Sequence, residues 1–164
     1  MQPLLHLKYE LKKDLILQEC EEAKKISKYH TDSRYPSRVF TEWKVSTYIG
    51  NYIKKIMEDF EVQGTPRFYW LKPNAVINTH TDNTTKCSLN FLLSDHNTAI
   101  TINNKDYFYK NALLDTTQPH SVKNGDKERL LFKISIENES FETVANRIIK
   151  NGLNEWYKNI RNRQ

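Results

Sequence analysis

The sequence is poor in the residues that loosen or cross-link a chain. Only 4 of its 164 residues are glycine, which argues against flexible linkers and against a second domain. Its 2 cysteines, Cys20 and Cys87, are too few and too far apart for a disulfide scaffold or a zinc knuckle. Both are expected as buried small apolar residues in a reducing compartment. No apolar run approaches the roughly 20 residues that span a bilayer. Pro3-Leu4-Leu5 is followed at once by His6, Lys8 and Glu10, which is not the pattern of a secretory leader. Internal repeats and low-complexity segments are also missing. The expectation is a cytoplasmic protein with no membrane attachment.

What is present suits one globular domain spanning residues 1–164. Hydrophobic residues make up 38% of the chain and aromatic ones 12%, enough for a single substantial core. The net charge is +5, and nucleic acid is one partner such a balance suggests. The basic residues are scattered, however, and many sit beside acids, as in Glu21-Glu22-Ala23-Lys24-Lys25, so a nucleic-acid partner is not expected. Nothing in the sequence speaks to oligomeric state.

The chain reads as helices, then strands, then a helix. Leu15, Ile16, Cys20, Ala23 and Ile26 recur at helical spacing over residues 11–28. A turn-rich loop from His30 to Ser37 follows. Thr41 reads as an N-cap, with Val45, Ile49, Tyr52, Ile53, Ile56 and Phe60 as the apolar face of a second amphipathic helix. Residues 1–62 are thus expected to be helical. From Pro66 the period shortens to that of strands. Eight runs are predicted: Arg67–Leu71, Ala75–His80, Ser88–Leu93, Thr98–Ile102, Tyr107–Tyr109, Ala112–Asp115, His120–Val122 and Leu130–Ile136. Turn formers such as Asn103-Asn104 and Asn124-Gly125 separate them. Eight short strands within residues 66–137 suit a jelly roll. Ser140 is the expected cap of a last helix over 140–161, and the helices are expected to cover one outer face of the β-core.

Three features in the β-region carry chemistry. Strand alternation puts His80 and Asp82 of Asn78-Thr79-His80-Thr81-Asp82 on one face, about 7 Å apart along the backbone. His120 opens a strand 38 residues after Asp82, and Arg129 opens the last strong strand nine residues further on. Two imidazoles and one carboxylate on one side of an ion form the facial triad that suits Fe(II) and leaves positions open. A site without thiolate is less expected for structural zinc.

This order, His-x-Asp, a distant His, then an Arg or Lys about ten residues on, resembles the 2-oxoglutarate/Fe(II)-dependent oxygenases. Their core is a double-stranded β-helix, the cupin-like jelly roll. The stretch from Asp115 through Gln118-Pro119-His120 to Arg129-Leu130-Leu131-Phe132 is similar to the aspartyl/asparaginyl β-hydroxylase branch. That branch commonly lacks the carboxylate ligand which Asp82 supplies here, so prolyl-hydroxylase-like subgroups fit as well. The resemblance covers about residues 66–137. It implies a dioxygenase that couples oxidative decarboxylation of 2-oxoglutarate by O₂, giving succinate and CO₂, to hydroxylation of a C–H bond in a peptidyl or small-molecule substrate. His80, Asp82 and His120 would hold Fe(II). Arg129 would clamp the far carboxylate of 2-oxoglutarate. Ser88 and Asn90 would meet the other carboxylate, with Tyr69 and Arg67 lining the pocket.

Blander readings stand beside these. His30-Thr31-Asp32 repeats the tripeptide with no strand to orient it and reads as a turn. Ser88 and Asn90 also suit ordinary strand positions, and Tyr107 and Tyr109 suit core or rim. If Arg129 faces inward, alternation turns Lys133 and Ser135 inward and Phe132, Ile134 and Ile136 outward. Helices over that outer face, or a bulge, would reconcile this; otherwise Lys133 is the carboxylate clamp. A cupin-type metalloenzyme would usually offer more histidines. A non-enzymatic jelly-roll binding module would need no aligned His, Asp, His and Arg.

Overall fold

A computed structural model describes residues 1–29, 42–95 and 98–155. Among them are eleven strands: β1 (Leu4–His6), β2 (Lys28–Tyr29), β3 (Trp43–Thr47), β4 (Thr65–Leu71), β5 (Val76–His80), β6 (Cys87–Leu92), β7 (Ile100–Ile102), β8 (Lys105–Tyr107), β9 (Asn111–Leu114), β10 (His120–Lys123) and β11 (Arg129–Ile136). The helices are α1 (Lys13–Lys25), α2 (Asn51–Asp59) and α3 (Phe141–Lys150). The strands form two antiparallel sheets, of order β1-β9-β6-β11-β4-β3-β2 and β5-β10-β7-β8. The protein is therefore mainly β with flanking helices, as its turn spacing predicts. No described helix is long and apolar enough to cross a membrane.

Alternation along three neighbouring strands decides where the core and the cavity lie. Phe132, Ile134 and Ile136 of β11, Phe68 and Trp70 of β4, and Leu89 and Phe91 of β6 all enter the main apolar core. That core is closed from the other side by Ile16, Cys20 and Ala23 of α1, Ile53 and Ile56 of α2, and Val144, Ala145 and Ile148 of α3. The residues between them, Arg129, Leu131, Lys133, Arg67, Tyr69, Ser88 and Asn90, line a cavity on the opposite face. The helices thus make the outer face of the large sheet the dry one, and the inner face is released for polar side chains. This resolves the parity problem of β11 without a bulge: Arg129 and Lys133 both face inward.

The N-terminal third departs from the helical expectation. Residues 43–47 form β3, which pairs with β4 from Trp43↔Leu71 to Thr47↔Arg67. Trp43, Val45 and Thr47 favour a pleated surface, and the open edge of β4 supplies it. Helix α2 begins only at Asn51, after Gly50. Its free N-terminal amides are met by Glu19 of α1, whose carboxylate accepts from Tyr52 N and Ile53 N at 2.8 and 3.2 Å, a favourable charge at a helix start. Thr41, the expected cap, lies outside the described residues. Leu4–His6 also adds a strand, pairing with β9. At the other end Ser140 caps α3 as expected, its hydroxyl accepting from Thr143 N at 3.1 Å. The helix stops at Lys150 rather than continuing to 161; Gly152 follows at φ 71°, the left-handed turn that glycine allows.

Candidate metal centre and its cavity

His80 ends β5 and His120 opens β10, and the two are direct cross-strand partners. Asp82 lies two residues beyond His80, where its N–H donates to Thr116 O at 3.1 Å. That bond ties the turn after β5 to the loop that leads into His120. The hairpin β7–β8 supports the same loop: Asn103 and Asn104 turn it with φ 52° and 63°, and Asn103 N donates to Pro119 O at 2.9 Å. Residues far apart in sequence are fixed by backbone bonds into one constellation.

Its geometry is that of a ligand set. Possible ligand atoms of His80, Asp82 and His120 all lie within 4.8 Å of one another. Nε2 of both histidines is 3.4 Å from the same oxygen, Oδ1 of Asp82. The other ring nitrogens are committed elsewhere: Nδ1 of His80 is 2.7 Å from Asn78 O, and Nδ1 of His120 is 2.8 Å from Gln118 O. A carbonyl only accepts, so each Nδ1 carries the proton and each Nε2 is turned to the common centre. This second layer of hydrogen bonds is the kind that orients metal-bound histidines. The donor set therefore fits a divalent ion, with neutral imidazole and hard carboxylate suiting Fe(II) among the candidates. Burial alone would push the Asp82 carboxyl up. The close approach of the His120 and His80 rings, aided by the Lys133 ammonium, outweighs it and holds the carboxyl well below the usual range. Lys133 Nζ stands 3.8 Å from the second oxygen, Oδ2.

The triad opens into a cavity of about 320 Å³ between the sheets. At its far end Arg129 is 3% exposed. Its guanidinium donates to Thr98 O and Oγ1 at 2.8 and 2.6 Å and to the Tyr109 hydroxyl at 3.2 Å. Tyr109 in turn accepts from Asn90 Nδ2 at 3.2 Å, and Ser88 Oγ donates to Asn90 Oδ1 at 2.7 Å. Ser88, Asn90 and Arg129, singled out in the sequence, are thus links of one buried polar network on the cavity wall. Tyr69 also lines the cavity, stacked on Trp43 with ring centres 5.7 Å apart. The tripeptide His30-Thr31-Asp32 lies outside the described residues.

Two members of the network were not identified from sequence. Tyr109 belongs to the apolar cluster between the sheets, as the core reading had it, but its hydroxyl also faces the cavity. It sits in the bend between β8 and β9, where alternation gives no face. Thr98 acts partly through its backbone carbonyl, which leaves no trace in residue type. Asn124 lies outside that network: its amide donates to Lys72 O and Lys127 O at 2.9 Å and so fixes the turn that delivers Arg129.

Two facing antiparallel sheets with a His-x-Asp and distant His at their mouth define a double-stranded β-helix fold carrying a candidate metal triad. No protein-family model matches the chain, and no curated protein matches it. Among solved structures the chain is similar to a prolyl hydroxylase from Trichoplax adhaerens, solved in complex with a hypoxia inducible factor oxygen degradation domain peptide fragment. The TM-score is 0.63 and the identity 11%, over 87% of this chain and 86% of that one. A predicted oxalate decarboxylase from Thermotoga maritima matches with TM-score 0.44 and 16% identity, over 58% and 80% of the two chains. A salicylate 1,2-dioxygenase from Pseudaminobacter salicylatoxidans matches with TM-score 0.46 and 10% identity, over 75% and 33%. At such identities the likeness to the hydroxylase bears on the fold.

Proposed function

We propose that the protein is an Fe(II)- and 2-oxoglutarate-dependent dioxygenase that hydroxylates a C–H bond of a peptidyl or small-molecule substrate. The observation that carries the reading is the pairing of the triad with a buried, prearranged guanidinium across one cavity. His80, Asp82 and His120 would hold the iron on one face, leaving the other coordination positions toward the cavity. Bound there, Fe(II) supplies O₂ activation coupled to oxidative decarboxylation of 2-oxoglutarate to succinate and CO₂.

The chain's own residues have distinct tasks in this reading. Arg129, fixed by Thr98 and Tyr109, receives the far carboxylate of 2-oxoglutarate through its remaining N–H donors. Tyr109 adds a hydroxyl to the same contact. Ser88 and Asn90 hold Tyr109 in place and present polar edges to the body of the cosubstrate. The walls of Ile100, Ile102, Leu114 and Leu131 exclude water, which strengthens every charged contact inside. Aerobic incubation with Fe(II) and 2-oxoglutarate tests the proposal: succinate should accumulate, only when both are present. No succinate above the metal-free control, with iron demonstrably bound, overturns it.

A further inference from the structure

The cavity holds more positive charge than the proposed metal and cosubstrate use. Arg67 of β4 and Lys133 of β11 are direct cross-strand partners, and both side chains line the cavity. Like charges facing each other across a sheet are unfavourable, and a half-buried guanidinium without a partner is costly. Yet Arg67 makes no hydrogen bond or ion pair among the described residues. Among the described residues Lys133 reaches only Asp82 Oδ2, at 3.8 Å, and the ring of Tyr69, at 5.8 Å from its centre. Arg129, by contrast, is already tied down at the other end of the cavity, four residues or about 13 Å along β11.

The charges settle what the pair is for, taking the oxygenase reading as the premise. A divalent ion, Asp82, Arg129 and a 2-oxoglutarate dianion cancel. That leaves Arg67 and Lys133 beside the metal centre. The other cavity carboxylate, Asp115, accepts from Thr117 Oγ1 at 2.5 Å and Thr117 N at 3.1 Å and keeps its charge, so one positive charge is left over, which one further carboxylate would balance. We propose that Arg67 and Lys133 form a second anion site, and that the molecule oxidised carries a carboxylate which bridges them. The substrate is thereby an acid, held by its charged group so that a neighbouring C–H bond faces the triad.

The test uses the whole chain loaded with Zn(II) and N-oxalylglycine, an inert analogue of 2-oxoglutarate. N-acetyl-L-aspartic acid α-amide, which carries one carboxylate, and its neutral isostere N-acetyl-L-asparagine α-amide are titrated by calorimetry. The aspartate compound should bind at least tenfold tighter. Arg67→Gln should erase that preference and Arg67→Lys restore part of it. Equal binding of the two compounds, or a preference that survives Arg67→Gln, overturns the proposal. So does a tenfold loss of N-oxalylglycine affinity in Arg67→Gln, which would hand the pair to the cosubstrate. If the wild type takes up neither Zn(II) nor N-oxalylglycine, the oxygenase reading has failed instead. The same two titrations on the metal-free protein then still decide the anion site.

Discussion

His120 and His80 are cross-strand partners on β10 and β5, with ring centres 4.4 Å apart. The pairing explains how ligands 40 positions apart in the chain reach one ion: the ladder brings their backbones together, and the Nδ1 bonds to Asn78 O and Gln118 O aim the rings.

That relationship predicts which histidines matter. The wild type should bind one Mn(II), used as a stable stand-in for Fe(II), by calorimetry. Loss of a second-layer partner alone typically costs roughly 10–100-fold in metal affinity, so His80→Ala or His120→Ala should cost more. His30→Ala should bind as the wild type does. A variant lacking His80 that keeps full affinity would show that the ion is held elsewhere.

Arg129→Ala should weaken 2-oxoglutarate binding on the order of 10–100-fold, because a hydrogen bond to a charged group contributes about 1.5–3 kcal/mol. Mn(II) affinity should change little, since Arg129 touches no ligand. Should Lys133→Ala produce the cosubstrate defect while Arg129→Ala does not, the assignment of the clamp is reversed.

Much of this was legible in the sequence because it rests on alternation. The eight strands from Thr65 to Ile136 and the inward set of Arg129, Ser88 and Asn90 follow from period two and the turn residues between runs. What alternation cannot supply is the environment of the other face. Phe132, Ile134 and Ile136 look misplaced until three helices cover them. The segment from Trp43 to Thr47 shows the opposite failure. Val45, Ile49 and Tyr52 also fit a helix, and only the waiting edge of β4 decides for a strand. The polar roles of Tyr109, read as core or rim, and of Thr98 were not legible, because one lies in a bend where alternation gives no face and the other acts partly through its backbone carbonyl.

A structural ion pair gives a prediction independent of the site. Glu139 is paired with Arg147 of α3, which also donates to Glu61 O at 3.0 Å. Hydrogen bonding to Arg147 outweighs burial and lowers the Glu139 pKa from its ordinary 4.5. A lowered carboxyl stabilises the fold above its unfolded pKa, and that contribution disappears as pH falls through the folded value. Glu139→Gln should cost on the order of 1 kcal/mol at pH 7, with the gap to wild type closing toward pH 3. Urea unfolding at several pH values measures this, and a gap that stays constant down to pH 3 would rule out the ion pair as its source.

The central claim is that Asp82 completes an iron site that turns over 2-oxoglutarate. A carboxylate ligand at Asp82 would neutralise one charge of the ion and complete the set that His80 and His120 begin. Succinate formation from 2-oxoglutarate under air, with Fe(II) supplied, should therefore be measured for the wild type and for Asp82→Ala side by side. Circular dichroism should confirm that both are folded. The account predicts iron-dependent succinate from the wild type and near-complete loss in Asp82→Ala. Turnover by Asp82→Ala close to the wild-type rate would contradict it, leaving His80 and His120 as a two-histidine site.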